Sequence, residues 1–325
     1  MEEISALAWR GFGVRARRVV REKSHYIIST PNGPRVIKRS LGSPERIVFQ
    51  HTVKEHLYNM GFKTTERFYT GADGLPYALW DGGAYVMTDL LRCKEFDFIC
   101  PVDFEKVLIT VARMHSLMQG IEFDCDVFYG ETNIFEQAEK QIMFLKGIKK
   151  RIGKRLSDFD VLFIKNCDYY IGEASAAAEL LLRGGFERYM SAARLDKTIC
   201  HNSLKEENIL FNTNNTVYIA DFSQMCVAPA LLDISELIRR HGKKSGEPVS
   251  ISRAVEIYSR HHALAEGGEE IVRALLRYPR KFIKVCEQYY SKKRSWTPSA
   301  IINCLRVIID GREAYERYLN DQGPQ

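Results

Sequence analysis

No run of this 325-residue sequence is apolar for long enough to cross a bilayer as a helix, so no membrane span is expected. The opening MEEISALAWR places acidic residues before apolar ones. It lacks the basic start, apolar run and cleavage site of a secretory leader, which sets the expectation of cytosolic synthesis. The eight cysteines stand singly, with no C-x-x-C pair and no Cys/His cluster. That argues against a zinc site or a disulfide framework, and for reduced, mostly buried thiols. No RRM, zinc-finger or helix-turn-helix signature is present. The charge excess is small, +6. The basic runs Lys146–Arg155, Arg15/Arg17/Arg18/Arg21 and Lys292–Arg294 therefore read as solvated faces, and no nucleic-acid partner is expected. Also missing is a G-x-G-x-x-G loop; Gly11-Phe12-Gly13 is too short to be one.

What is there is ordinary globular composition, 45% apolar and 27% charged, on a chain long enough for two packed parts. Ala16–Val20 and Tyr26–Ser29 read as short strands, and Thr30-Pro31-Asn32-Gly33 as a turn into a strand ending at Val36-Ile37-Lys38. A helix is predicted from a Ser43 cap and Pro44 to Gly61. Turns at Gly71–Gly74 and Asp81–Gly83 flank two more strands, the second being Ala84–Thr88. Thereafter the period changes to helical. Phe104, Val107, Leu108, Val111, His115 and Met118 share one face, and Gly120 ends it. Further helices are predicted over about 131–150, 157–183, 251–264, 268–290 and 298–319, the last capped by Thr297-Pro298. Thr198–Asp221 is the strongly β-like stretch of the second half. The fold class is therefore α+β: an N-terminal lobe over 1–88, with a small antiparallel sheet and one helix, and a mainly helical lobe over 89–325. The second lobe carries a hairpin at 198–223 and helical inserts at about 121–190 and 245–325.

The chemistry concentrates in His201-Asn202-Ser203-Leu204-Lys205-Glu206-Glu207-Asn208, followed after a short turn by Asp221-Phe222-Ser223. The run resembles the protein-kinase pair H-x-D-x-x-x-x-N and D-F-G, with the hairpin context that pair requires. Asn208 offers an amide oxygen and Asp221 a carboxylate, hard ligands for Mg²⁺ on ATP phosphates. By the same resemblance His201 is structural and Lys205 is placed to reach the transferring phosphate. Lys38 ends its strand where the family holds the α- and β-phosphates, and Glu55 in the next helix is its expected partner, with Glu45 a less well-spaced alternative. Met87-Thr88-Asp89-Leu90 is the expected hinge. Backbone groups of Thr88 and Leu90 would face adenine, and Val36 and Met87 would line its apolar slot.

Val111-Ala112-Arg113-Met114-His115 and Pro229 followed by Asp233 resemble elements of aminoglycoside phosphotransferases and choline kinases rather than protein kinases. Within that superfamily the chain is similar to the CotS family of spore coat proteins. The similarity rests on Tyr85–Asp89, Phe159-Asp160, Cys200-His201, Tyr278-Pro279-Arg280-Lys281-Phe282, Tyr289-Tyr290 and Trp296. It implies a place in the spore coat of an endospore-forming bacterium, with other coat proteins as partners. Ser203, however, stands where the family's catalytic aspartate belongs. A hydroxyl cannot accept the acceptor's proton near neutral pH, and general-base assistance is worth about 10²–10⁴-fold. Glu206 and Glu207 are expected to point away as solvated charges. Two readings follow: a structural pseudokinase with residual Mg·ATP binding, which is preferred, or an active phosphotransferase acting on a small hydroxylated molecule or glycan.

Overall fold

The strand-like runs of the first ninety residues form an antiparallel sheet, and most of the later chain is helical, in a computed structural model that describes residues 1–123, 134–291 and 298–320. Cys125, Lys292–Arg294, Trp296 and the Thr297 cap lie outside these residues. The seven cysteines among the described residues are free thiols. The chain divides into two compact units, one from 1–97, 110–128 and 196–227, the other from 98–109, 129–195 and 228–325.

In the first unit, helix α1 (Glu2–Phe12) precedes strands β1 (Arg18–Glu22), β2 (His25–Thr30) and β3 (Gly33–Arg39). Helix α2 (Pro44–Asn59) and strands β4 (Ala78–Trp80) and β5 (Gly83–Asp89) complete the sheet region, with strand order β1-β2-β3-β5-β4. The Thr30–Gly33 turn closes β2 on β3, with Gly33 at φ 103°, a conformation that favours glycine. Ser43 caps α2 by accepting from the Arg46 N–H. Helix α1 was not legible in the opening MEEISALAWR; it buries Ile4, Leu7, Ala8 and Phe12 against Val19, Ile28, Ile37 and Met87. A Cβ on Gly11 would fall 2.4 Å from that of Ala78, so a glycine lets α1 approach β4.

The hairpin segment of the second half groups with this unit rather than with the helical part. Strands β6 (Lys94–Glu95), β8 (Ile209–Phe211) and β9 (Val217–Ile219) form one small sheet, while β7 (Ile199–Cys200) and β10 (Cys226–Val227) pair with each other in a second. The cause is backbone bonding: the Ile219 N–H donates to the Thr64 carbonyl at 3.0 Å, and Thr65 bridges Ile219 in parallel. A cut after residue 88 misses these links because they join residues far apart in sequence.

Helix α3 (Pro101–Leu117) contributes to both units. The second unit is otherwise built from α4 (Ile134–Arg151), α5 (Asp158–Arg183), α6 (Phe186–Leu195), α7 (Leu231–Lys244), α8 (Ile251–Ser259), α9 (Gly268–Arg277), α10 (Arg280–Tyr290), α11 (Pro298–Asp310) and α12 (Arg312–Asn320). The single helix expected over 268–290 breaks at Tyr278-Pro279, because proline has no N–H to continue the ladder. The one expected over 298–319 breaks at Gly311. Phe159, Tyr278, Phe282, Tyr289 and Tyr290, among the aromatic residues that suggested the coat family, meet in one core. Phe159 stacks on Tyr289 at 3.9 Å and Tyr170 on Phe282 at 3.9 Å, while the Tyr290 hydroxyl donates to Asp160 at 2.8 Å. That motif holds α5 to α10.

Candidate functional site

Side chains alternate along a strand, so Val36 and Lys38 share one face of β3 with their β5 partners Thr88 and Val86. Ile37 and its partner Met87 point the other way, into the core under α1. Met87 therefore cannot line a slot with Val36: parity puts them on opposite faces. Thr88, 2% exposed, is the β5 residue on the Val36 face. Its backbone lies inside β5, and the Leu90 N–H donates to the Pro34 carbonyl at 3.4 Å.

Glu55 does not meet Lys38 either. Its carboxylate is gripped by Arg67, with Nε 2.8 Å from Oε1 and Nη2 on Oε2, and the Arg67 guanidinium lies 3.8 Å over the Tyr58 ring. Glu45 is exposed in the first turn of α2. The reason is helical phase. The inward side of α2 carries Ile47, Gln50, Val53, Lys54 and Leu57, so Lys54 faces in and its neighbour Glu55 is rotated away.

Lys54 is 0% exposed, and a buried ammonium needs a partner. Glu66 supplies it, 2.9 Å from Lys54 Nζ, with the Lys54 ammonium 3.9 Å over the Phe68 ring and 5.4 Å over that of Phe222. The same oxygen, Oε1, lies 3.6 Å from Lys38 Nζ and accepts the Asp221 N–H at 3.3 Å. Lys38 also reaches Asp221 Oδ1 at 3.8 Å. Glu66 arrives from an extended segment tied at one end to β9 through Thr64 and Thr65, and at the other to β5 through a Phe68–Thr88 bridge. Sequence reasoning missed it, although a lysine on the buried stripe of a helix is a legible request for an anion.

The charges bear this out. Burial opposes ionisation of Glu66, but Lys54 and Lys38 overcome it and hold its carboxyl well below the usual range. Glu66 raises the Lys38 pKa against burial, with help from Asp221. For Lys54 burial acts downward, and the Glu66 charge works against it. The start of α2 is also fixed near Asp221. Arg46 donates from Nε to the Ser223 carbonyl at 2.8 Å and from Nη2 to that of Met225 at 2.9 Å.

The loop from His201 is positioned by the β8–β9 hairpin. The Ala220 N–H donates to the Asn208 carbonyl at 2.9 Å, one step beyond the Ile209–Ile219 pair, so Asn208 and Asp221 occupy the same end. Asp221 takes the left-handed backbone conformation, φ 58°, one that Asp and Asn tolerate best among residues other than glycine. Buried His201 has Nε2 3.1 Å from the Ala220 carbonyl and its ring edge-on to Phe222. Asn208 Nδ2 donates to the Ser203 carbonyl at 2.8 Å and to its hydroxyl at 3.1 Å. Those bonds orient the amide and leave Oδ1 out of them. Lys205 pairs with Glu207 at 2.7 Å on a half-exposed surface, and that partner lowers the Glu207 pKa.

One amide oxygen and one carboxylate suit a Mg²⁺ ion that keeps waters or phosphate oxygens in its remaining positions. Lys38, steadied by Glu66, adds a cation beside them. Such an arrangement fits a nucleoside triphosphate with its metal, and Ser203 is the residue whose carbonyl and hydroxyl orient the Asn208 amide.

A family model described as "Spore coat putative kinase YutH" matches residues 11–322. The chain belongs to that family. No curated protein sequence matches it. Among solved structures, an aminoglycoside phosphotransferase from Alicyclobacillus acidocaldarius subsp. acidocaldarius DSM 446 is 18% identical with a TM-score of 0.79, over 94% of this chain and 90% of that one. The amicoumacin kinase hAmiN, solved with AMP-PNP, Ca²⁺ and Ami, is 13% identical with a TM-score of 0.58, over 97% and 93%. A choline kinase from Cryptosporidium parvum Iowa II is 12% identical with a TM-score of 0.57, over 99% and 97%. At these identities the likeness is one of fold: this spore coat family member has the kinase-like fold of aminoglycoside phosphotransferases and choline kinases.

Proposed function

We propose that this chain is a spore coat component that keeps the residues for Mg·ATP but transfers phosphate weakly or not at all. The observation that carries the reading is Ser203, whose hydroxyl accepts from Asn208 at 3.1 Å where a catalytic carboxylate would stand. Lys38, held by Glu66, would bind the α- and β-phosphates, and Asn208 and Asp221 would hold the metal. The bound metal would neutralise charge on the phosphates. The complex of the amicoumacin kinase with a nucleotide analogue and a divalent cation supports this assignment by its shared fold. Glu207 is engaged by Lys205 and does not replace the missing base. Transfer depends largely on positioning and charge neutralisation, so binding survives the loss of a base better than turnover does.

The test has two arms. Mg·ATP should raise the melting temperature of the wild type, and Lys38→Ala or Asp221→Ala should remove that shift, because a ligand that binds only the folded state stabilises it. Turnover on sugar or amino-alcohol acceptors should be negligible in the wild type and rise in Ser203→Asp by up to about 10²–10⁴-fold. Robust phosphorylation by the wild type, abolished by Asp221→Ala, would instead establish an active phosphotransferase. In either case other coat proteins are the proposed partners, in the spore of an endospore-forming bacterium.

A further inference from the structure

The end of α7 and the start of α10 gather positive charge that the surrounding carboxylates do not balance. Arg239 Nε lies 3.5 Å from Glu236 Oε2, Arg240 Nε 2.9 Å from Oε1, and Arg280 Nη1 3.7 Å from Oε2. Glu236 is thus shared by three guanidinium groups. Lys243, on the next turn of α7, sits with its ammonium 4.8 Å over the Tyr315 ring. The pKa of Lys243 falls to about 7, by burial first and then by Arg239, Lys281 and Arg280, with Glu236 the carboxylate opposing them. The Lys243 side chain nonetheless keeps exposed surface.

Arg239 is nearly buried and anchored by Nη2 to the Leu275 carbonyl at 2.6 Å, while Lys243, Arg280 and Lys281 are exposed. The first turn of α10 holds no acidic residue, and Pro279 gives it no side-chain cap, so its partial positive charge adds to theirs. Elsewhere in the same unit arginines find carboxylates of their own, as Arg277 does with Glu173 at 2.8 Å and Arg273 with Glu269 at 2.8 Å. Cations held this close repel one another, and a multiply charged anion relieves that repulsion while taking forked hydrogen bonds from arginine.

We propose that Lys243, Arg280 and Lys281, together with Arg239, form a binding site for a phosphate-bearing small molecule. The site uses none of Lys38, Asn208 and Asp221 and does not depend on the nucleotide reading. The experiment is isothermal titration of the full chain with inorganic pyrophosphate at near-physiological salt. Binding should persist in Lys38→Ala. It should weaken about tenfold or more in Arg280→Ala/Lys281→Ala and in Lys243→Gln, the equivalent of one charge-assisted hydrogen bond. These side chains are exposed, and Glu236 keeps Arg239 and Arg240 when Arg280 is removed, so the variants should melt as the wild type does. Absence of binding in the wild type would overturn the proposal. So would loss in Lys38→Ala with retention in the double variant. Equal weakening by Lys150→Ala/Arg151→Ala, at the end of α4, would reduce the effect to diffuse surface charge and overturn it too.

Discussion

Glu66 is the residue on which the first unit's buried charges converge, since one of its oxygens meets Lys54, Lys38 and the Asp221 N–H. Glu66→Gln leaves Lys54 buried without a counter-charge, and it should cost about 3–5 kcal/mol in urea unfolding. Lys54→Met should cost much less. Glu66 then keeps Lys38 and the Asp221 N–H, and methionine fills the space between the Phe68 and Phe222 rings. Similar losses for both variants would mean that Glu66 is not the centre of the arrangement. Glu55→Gln breaks a partly exposed pair with Arg67 and should cost at most about 1 kcal/mol. The pH dependence follows from the lowered Glu66 pKa. A carboxyl whose folded pKa is depressed contributes stability above its ordinary value, and that contribution is lost as pH falls toward the folded one. Stability of the wild type should therefore decline below the ordinary carboxylate range, and the decline should be shallower in Glu66→Gln.

Among the elements, α7 shows how backbone approach outweighs helix propensity. A Cβ on Gly242 would fall 2.1 Å from Cε1 of Tyr318 in α12, a buried ring whose hydroxyl donates to the Val249 carbonyl at 3.1 Å. Alanine favours a helix over glycine by about 1 kcal/mol, but displacing a packed ring costs about 1–3 kcal/mol. Gly242→Ala should therefore lower the melting temperature and increase hydrogen exchange in α12; a stabilised variant would refute the argument. At the start of α5, Ser157 and Asp160 form a reciprocal capping box, and the Ser157 hydroxyl also lies 3.0 Å from that of Tyr289. Ser157→Ala should cost about 1 kcal/mol by the cap alone, measurable by chemical denaturation.

For the molecule as a whole, the two units titrate for different reasons. His241 in α7 donates from Nδ1 to the Phe98 carbonyl at 2.8 Å and accepts the Val249 N–H on Nε2 at 3.1 Å, a pattern that fixes the neutral ring. Burial lowers its pKa from 6.5, against the bond to Phe98. Its contribution is present above that value and lost as pH falls below it, ahead of the loss at Glu66 in the other unit. Melting curves across pH should show a first decline below about pH 6.5 that His241→Gln flattens, and a second in the carboxylate range that it leaves in place. Nucleotide should act on one unit first. Hydrogen exchange with Mg·ATP should fall in segments around Lys38, Glu66, Thr88 and Asn208–Asp221, and protection that omits all of them would contradict the proposed site.

The sequence by itself determined the kinase-like class, the first-unit strands, the capped helix α2 and the loop from His201 to Asp221, because these rest on local period, turn chemistry and fixed spacing. It also carried the serine at position 203, a matter of residue identity alone. Only the tertiary structure decided which carboxylate serves Lys38. Glu55 is the better-spaced candidate along the chain, but helix phase turns it toward Arg67 and turns Lys54 inward. The anion then comes from Glu66, on a segment held between β5 and β9 by backbone bonds across a long sequence separation. Strand parity likewise put Thr88 beside Val36 and sent Met87 into the α1 core. Spacing finds residues that act through their neighbours in the chain; a buried charge is settled by whatever folding brings within a few ångströms of it.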